Sequence, residues 1–185
     1  MPLRGTIETI YGMIVAQARE PRFYRDLAVP DTVDGRFDLL LLHLWMVLRR
    51  LRSAADGAEL CQALFDHFCD DMDDNLREMG VGDLTVPKRM QAFGEAFYGR
   101  SAAYDQALGQ TLDPSSDTAA DRLSQALCRN ILAGRQLEQA RLLARYAEAV
   151  IAALAELDDE ALKGASWHFP MPAALQAGRS PGEET

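Results

Sequence analysis

The segment from Phe37 to Leu48 constrains this chain more than any other. It reads Phe-Asp-Leu-Leu-Leu-Leu-His-Leu-Trp-Met-Val-Leu and is apolar on nearly every side when wound as a helix. A helix with no polar face has nowhere to sit except the middle of a fold. The stretch is too short to span a bilayer and contains Asp38 and His43, so it predicts a central core helix, not a membrane span. With 185 residues, the chain has enough neighbouring segments to cover it in one domain.

Those neighbours also read as helices. β-branched residues are scattered and no run alternates at the period of a strand. Ile7, Ile10, Tyr11, Ile14, Val15 and Ala18 form one apolar stripe over Thr6–Arg19, which Pro21 stops. Phe23 to Leu27 reads as one further turn, and Pro30 to Gly35 as a turn. The central helix is then expected over Arg36–Ser53, and the next over Ala58–Met79 with Gly80 as its C-cap. A helix starting at Val86 is expected to break at Gly99 and resume over Ala102–Leu108. Two more are expected from the N-cap Asp117 to Ala133 and over Arg135–Leu157, the latter rich in alanine. Asp158–Lys163 reads as a last turn. The expected fold is therefore all-α, a single-domain helical fold of about six main helices over residues 1–175, with 176–185 as a disordered tail.

Charge narrows the partners. The net charge is −9, which opposes binding of nucleic-acid phosphates through a broad basic face. The cysteines are Cys61, Cys69 and Cys128. Their number is odd, their spacing fits no zinc motif, and all sit in apolar helical stretches. That pattern predicts free, buried thiols and a cytosolic location. The amino-terminal residues lack the apolar region of a secretory signal.

No nucleophile elbow, phosphate loop or dinucleotide fingerprint is present, so no catalytic residue is assigned and no bound cofactor is implied. His67 and Asp71 stand four residues apart on one helix, with Asp70 and Asp74 beside them. This leaves open a metal protein or helical-bundle enzyme using His43, His67 and nearby aspartates, although a di-iron bundle would need paired Glu-x-x-His motifs that are missing. A generic protein–protein adaptor is a further alternative. If the Arg36–Ser53 and Ala58–Met79 helices pair as a hairpin about Asp56-Gly57, His43 is level with Cys69 and Asp70. Arg49 and Arg50 are then level with the first turns of the second helix near Asp66, and Arg36 with Leu76 and Arg77.

The order of several blocks carries a resemblance. Phe23-Tyr24, then Val29-Pro30-Asp31-Thr32-Val33-Asp34-Gly35-Arg36-Phe37-Asp38 running into the leucines, His43-Leu44-Trp45 and Arg49-Arg50-Leu51, resembles the signature of the ubiquinol–cytochrome c chaperone family. Phe65-Asp66-His67-Phe68, Asp70-Asp71-Met72-Asp73 and Leu76 to Val81 are similar to its second block. Phe97-Tyr98-Gly99-Arg100, Ala126 to Asn130, and Trp167-His168-Phe169-Pro170 are similar to later ones. The resemblance implies a non-enzymatic assembly chaperone that helps newly made cytochrome b reach the ubiquinol–cytochrome c reductase. It implies cytochrome b as client and, as in mitochondrial members, a small partner subunit. Without the targeting extension of eukaryotic members, the chain is expected to be a bacterial member. It would then work in the cytoplasm at the inner-membrane face, with no transmembrane segment. The candidate client-binding residues are Arg36, Phe37, His43, Trp45, Arg49, Arg50, His67, Asp70, Asp71 and Asp74. Trp45 and Phe37 are expected to line an apolar groove beside the central helix, with paired charges completing the face.

Overall fold

The computed structural model describes residues 2–109 and 119–171. Among them are eight helices and no strand: α1 (Pro2–Ala18), α2 (Pro21–Arg25), α3 (Val33–Leu51), α4 (Gly57–Glu78), α5 (Val86–Gly109), α6 (Ala119–Ile131), α7 (Leu137–Ala155) and α8 (Asp159–Lys163). The six long ones are those anticipated from the apolar periodicity, and α2 and α8 are the two single turns. The expected tail at 176–185 and the N-cap Asp117 lie outside the described residues.

The central helix is α3. From Asp38 to Leu48 every residue is buried, including His43. It packs against α1, α4, α5, α6 and α7, which is why it has no polar face. It begins at Val33, three residues before the expected start, because the Thr32 side chain caps it by accepting from the Gly35 N–H at 3.1 Å. Gly35 is required here: a Cβ would meet the Pro30 carbonyl oxygen at 2.0 Å. Gly57 plays the same part at the turn into α4, where a Cβ would stand 2.2 Å from the Leu51 carbonyl oxygen.

The expected break at Gly99 is absent, and α5 runs unbroken from Val86 to Gly109. A glycine inside a helix costs only about 1 kcal/mol relative to alanine. Phe97 and Tyr104, buried on either side of it, hold both halves of α5 on the core. The closest pairing in the second half of the chain is α6 on α7, where Ala140, Ala144 and Ala147 are buried. These alanines let the two backbones approach.

The three cysteines are free. Cys128 is buried as expected, but Cys61 and Cys69 are half-buried on α4. Burial raises the pKa of both α4 thiols, which keeps them protonated and slow to react. Thiol titration under denaturing, non-reducing conditions is expected to give three per chain; a lower count would mean bridging.

Candidate functional site

Four helices leave a groove of about 300 Å³ between them. The last turn of α1 supplies Val15, Ala18 and Arg19, and the first turns of α3 supply Val33, Arg36, Phe37 and Leu40. The last turns of α4 add Met72, Leu76 and Met79, and the start of α5 adds Arg89 and Phe93. Its floor continues an aromatic ladder: Phe93 lies 4.5 Å from Phe37, Phe37 lies 6.5 Å from Phe68, and Phe68 lies 5.8 Å from Phe65. The ladder exists because each helix turns an aromatic inward at the α3–α4–α5 seam. At the mouth, Val33 and Met79 are 72% and 60% exposed. Apolar side chains held open to solvent beside a groove mark a contact surface.

Charges flank this floor. Asp71 accepts from the Tyr11 hydroxyl at 2.7 Å, tying α4 to α1. Burial, reinforced by the Asp71 carboxylate, keeps that phenol protonated well above its ordinary pKa. Arg36 pairs with Asp31 at 2.7 Å and its guanidinium sits 5.9 Å from the Tyr24 ring centre. Arg19 and Arg89 reach no carboxylate among the described residues.

The structure sorts the sequence candidates into different places. Phe37 and Asp71 line the groove, as does Arg36. His67 stacks edge-on against Tyr11 at 4.9 Å, and Asp70 and Asp74 are exposed on α4. Among the described residues no three His, Cys, Asp or Glu side chains converge. Trp45 is not a groove liner. It is wholly buried, and its Nε1 donates to Asp105 at 3.1 Å.

The pairing expected between the central helix and α4 is also corrected. Arg49 donates to Asp105 on α5 at 2.6 Å, joined by Arg52 at 3.3 Å. Arg50 donates to the Leu154 and Leu157 carbonyls at 3.0 and 2.7 Å and to Asp159 at 3.0 Å. His43 meets Tyr146 on α7, with Nε2 2.7 Å from its hydroxyl, while Nδ1 lies 2.7 Å from the Leu39 carbonyl. Distance from a turn sets which residues are level, but the helical angle sets which neighbour they face. Residues 45, 49 and 52 share one stripe, which meets α5, and 43 and 50 share another, which meets α7.

Sequence reasoning missed Asp105, Tyr146 and Asp159, and it missed Arg19 and Arg89 at the groove. The acids and arginines among them are ordinary surface residues in the sequence and Tyr146 reads as one more core aromatic of α7, so nothing local marks their distant neighbours. It also missed the ion pair of Asp38 with Arg100 at 2.8 Å. Burial pushes the Asp38 carboxyl up to about 6, against the opposing pull of Arg100.

The comparisons with known proteins converge. The sequence pattern of the ubiquinol-cytochrome C chaperone family matches residues 25–169. The chain is 28% identical over 158 residues to ubiquinol-cytochrome-c reductase complex assembly factor 1 of Xenopus laevis, covering 83% of this chain and 74% of the relative. To the Mus musculus protein of the same name it is 27% identical over 100 residues, 54% of this chain and 34% of that one. The crystal structure of the Cbp3 homolog from Brucella abortus superposes with a TM-score of 0.78 at 36% identity, covering 92% of this chain and 91% of the other.

Proposed function

Because the chain belongs to the ubiquinol-cytochrome C chaperone family, we propose that it binds newly made cytochrome b and supports its entry into the ubiquinol–cytochrome c reductase. The family is one of assembly factors for that complex, as the names of its relatives state. The observation that carries the finer reading is the groove. It offers aromatic and methionine side chains to a partner, and it opens beside the central helix.

An incomplete membrane subunit exposes apolar helix surface that later packs inside the complex. A partner that masks part of this surface suppresses aggregation and proteolysis, then yields to assembly. Release requires a modest interface, and a shallow groove with a charged rim suits that better than a large apolar plate. No helix among the described residues is long and apolar enough to cross a membrane; on this reading, contact at the inner-membrane face comes through the client. A small partner subunit would share this chain's remaining exposed surface.

The test is a deletion strain. The haem spectrum of its membranes is expected to lose cytochrome b, with other cytochromes retained. Normal cytochrome b together with loss of some other activity would remove the chaperone reading and promote an adaptor or enzyme in its place.

A further inference from the structure

The groove's lining says more about its occupant than that it is apolar. We propose that it takes an amphipathic helix that seats two apolar side chains, one turn apart, on the Phe37–Phe93 floor beside Met79 at the mouth, and places an acidic side chain beside Arg19 or Arg89. This rests on the reading of the groove as the client surface and adds the chemistry of what is captured.

Three observations support it. The groove holds about 300 Å³ and is walled by the ends of four helices. That space suits a few side chains laid in from one edge, as in the docking of a helix whose anchors recur at every third or fourth position. The groove is lined partly by Met72 and, at its mouth, by Met79, whose unbranched side chains re-pack around anchors of different shape.

The third observation is charge. Two carboxylates line the groove: Asp71 is held by Tyr11, and Asp34 lies in the first turn of α3, where the helix dipole favours it. Arg36 is engaged by Asp31. Arg19, at the end of α1, and Arg89, at the start of α5, have no carboxylate partner among the described residues, in a chain of net charge −9. Acidic partners abound elsewhere on this surface, yet these two cations at the groove have none. An acid-bearing helix completes one of them, and a basic helix is repelled.

Synthetic stapled helical peptides of one sequence test this, with a Leu–Phe anchor pair and a single flanking Glu, Gln or Lys, titrated against the full chain by fluorescence anisotropy. The Glu peptide is expected to bind about tenfold more tightly than the Lys peptide at low salt, with the gap closing as salt rises. Arg19→Glu combined with Arg89→Glu is expected to reverse the order, with unchanged far-ultraviolet circular dichroism. Both arginines are exposed, so these substitutions leave the core alone. Met79→Glu is expected to abolish binding of all three.

Equal affinities for the three peptides would overturn the charge assignment, and no binding would overturn the groove's occupant. Anionic phosphatidylglycerol vesicles captured through the same arginines, with peptides ignored, would identify a lipid site instead. A dimer dissolved by Met79→Glu would identify a second copy as the occupant. Peptide failure alongside cytochrome b loss in the deletion strain sinks only this inference. Peptide binding alongside normal cytochrome b removes the client and keeps the groove chemistry.

Discussion

Arg50→Glu is expected to destabilise the fold by roughly 3 kcal/mol, because it breaks a part-buried charged network and sets a second anion against its acceptors. Arg50 is an architectural residue, with its side chain only 13% exposed. Its guanidinium donates to the Leu154 carbonyl in the last turn of α7, which also accepts from the Leu157 N–H at 3.3 Å, and to the Leu157 carbonyl just past the helix end. It also fixes Asp159 at the start of α8, and Asp159 in turn accepts from the Ala55 N–H at 2.7 Å. One cation thus joins the α3–α4 turn to the α7–α8 turn. A glutamate there would face two carbonyl dipoles and the Asp159 carboxylate, which the existing contacts hold below its ordinary pKa. In a chain of this size the loss corresponds to a fall in Tm of about 10 °C. Arg36→Glu removes only an exposed pair, so the expected change is within about 1 kcal/mol. Denaturant titration of the two variants distinguishes them; equal small effects would mean Arg50 is dispensable. The contrast also governs how the client surface is probed. Charge reversal at Arg50 would confound lost binding with lost fold, whereas Arg19 and Arg89 are free of that problem.

The second large effect concerns acid. His43 is wholly buried, and burial lowers its pKa to about 4, with the Leu39 carbonyl pulling the other way. The neutral ring fits its surroundings: Nδ1–H donates to Leu39, and Nε2 accepts from the Tyr146 hydroxyl, whose oxygen accepts from Gln17 at 3.0 Å. Protonation would place an Nε2–H against that hydroxyl and deprive the phenolic hydrogen of its acceptor beside the Phe23 ring. The unfolded chain takes up the proton near pH 6.5 and the folded chain only near 4. The stability this residue contributes is therefore complete above about pH 6.5 and is lost as the pH falls towards 4, by about 2 kcal/mol between pH 7 and 4.5. Asp38 acts in the opposite sense, because its folded pKa is raised to about 6 and acidification relieves a buried charge. Raw stability against pH would mix the two. The difference between the parent chain and His43→Gln isolates His43: the variant starts weaker at pH 7, and the gap narrows by about 2 kcal/mol at pH 4.5. Parallel pH profiles would show that His43 does not titrate in this way.

Much of the fold follows from local pattern. Phe37 to Leu48 lacks a polar face, and a helix of that kind must be surrounded; α3 is. The helix ends were legible where a particular side chain or glycine enforces them, as at Pro21, Gly80 and Asp158, whose carboxylate accepts from the Ala161 N–H. Legibility failed at Gly99, where a local preference for breaking is small against the burial of Phe97 and Tyr104 on both sides. The family resemblance was legible too, since ordered blocks from Phe23 to Pro170 are a property of the chain alone.

The site was less so. Phe37 could be placed beside a groove from its position at the edge of the apolar run, but Trp45, eight residues on, could not be excluded from it. Their fates differ because Trp45 turns towards α5 and Tyr104 at 5.1 Å, whereas Phe37 lies near the end of α3 where the covering helices part. Arg49 and Arg50 are adjacent and identical in type, yet one meets Asp105 and the other the end of α7. Periodicity determines which residues share a face. Which helix covers that face, and where two covering helices leave a gap, depends on the packing of segments far apart in the chain. That alone decided the groove and brought Arg19, Arg36 and Arg89 around it.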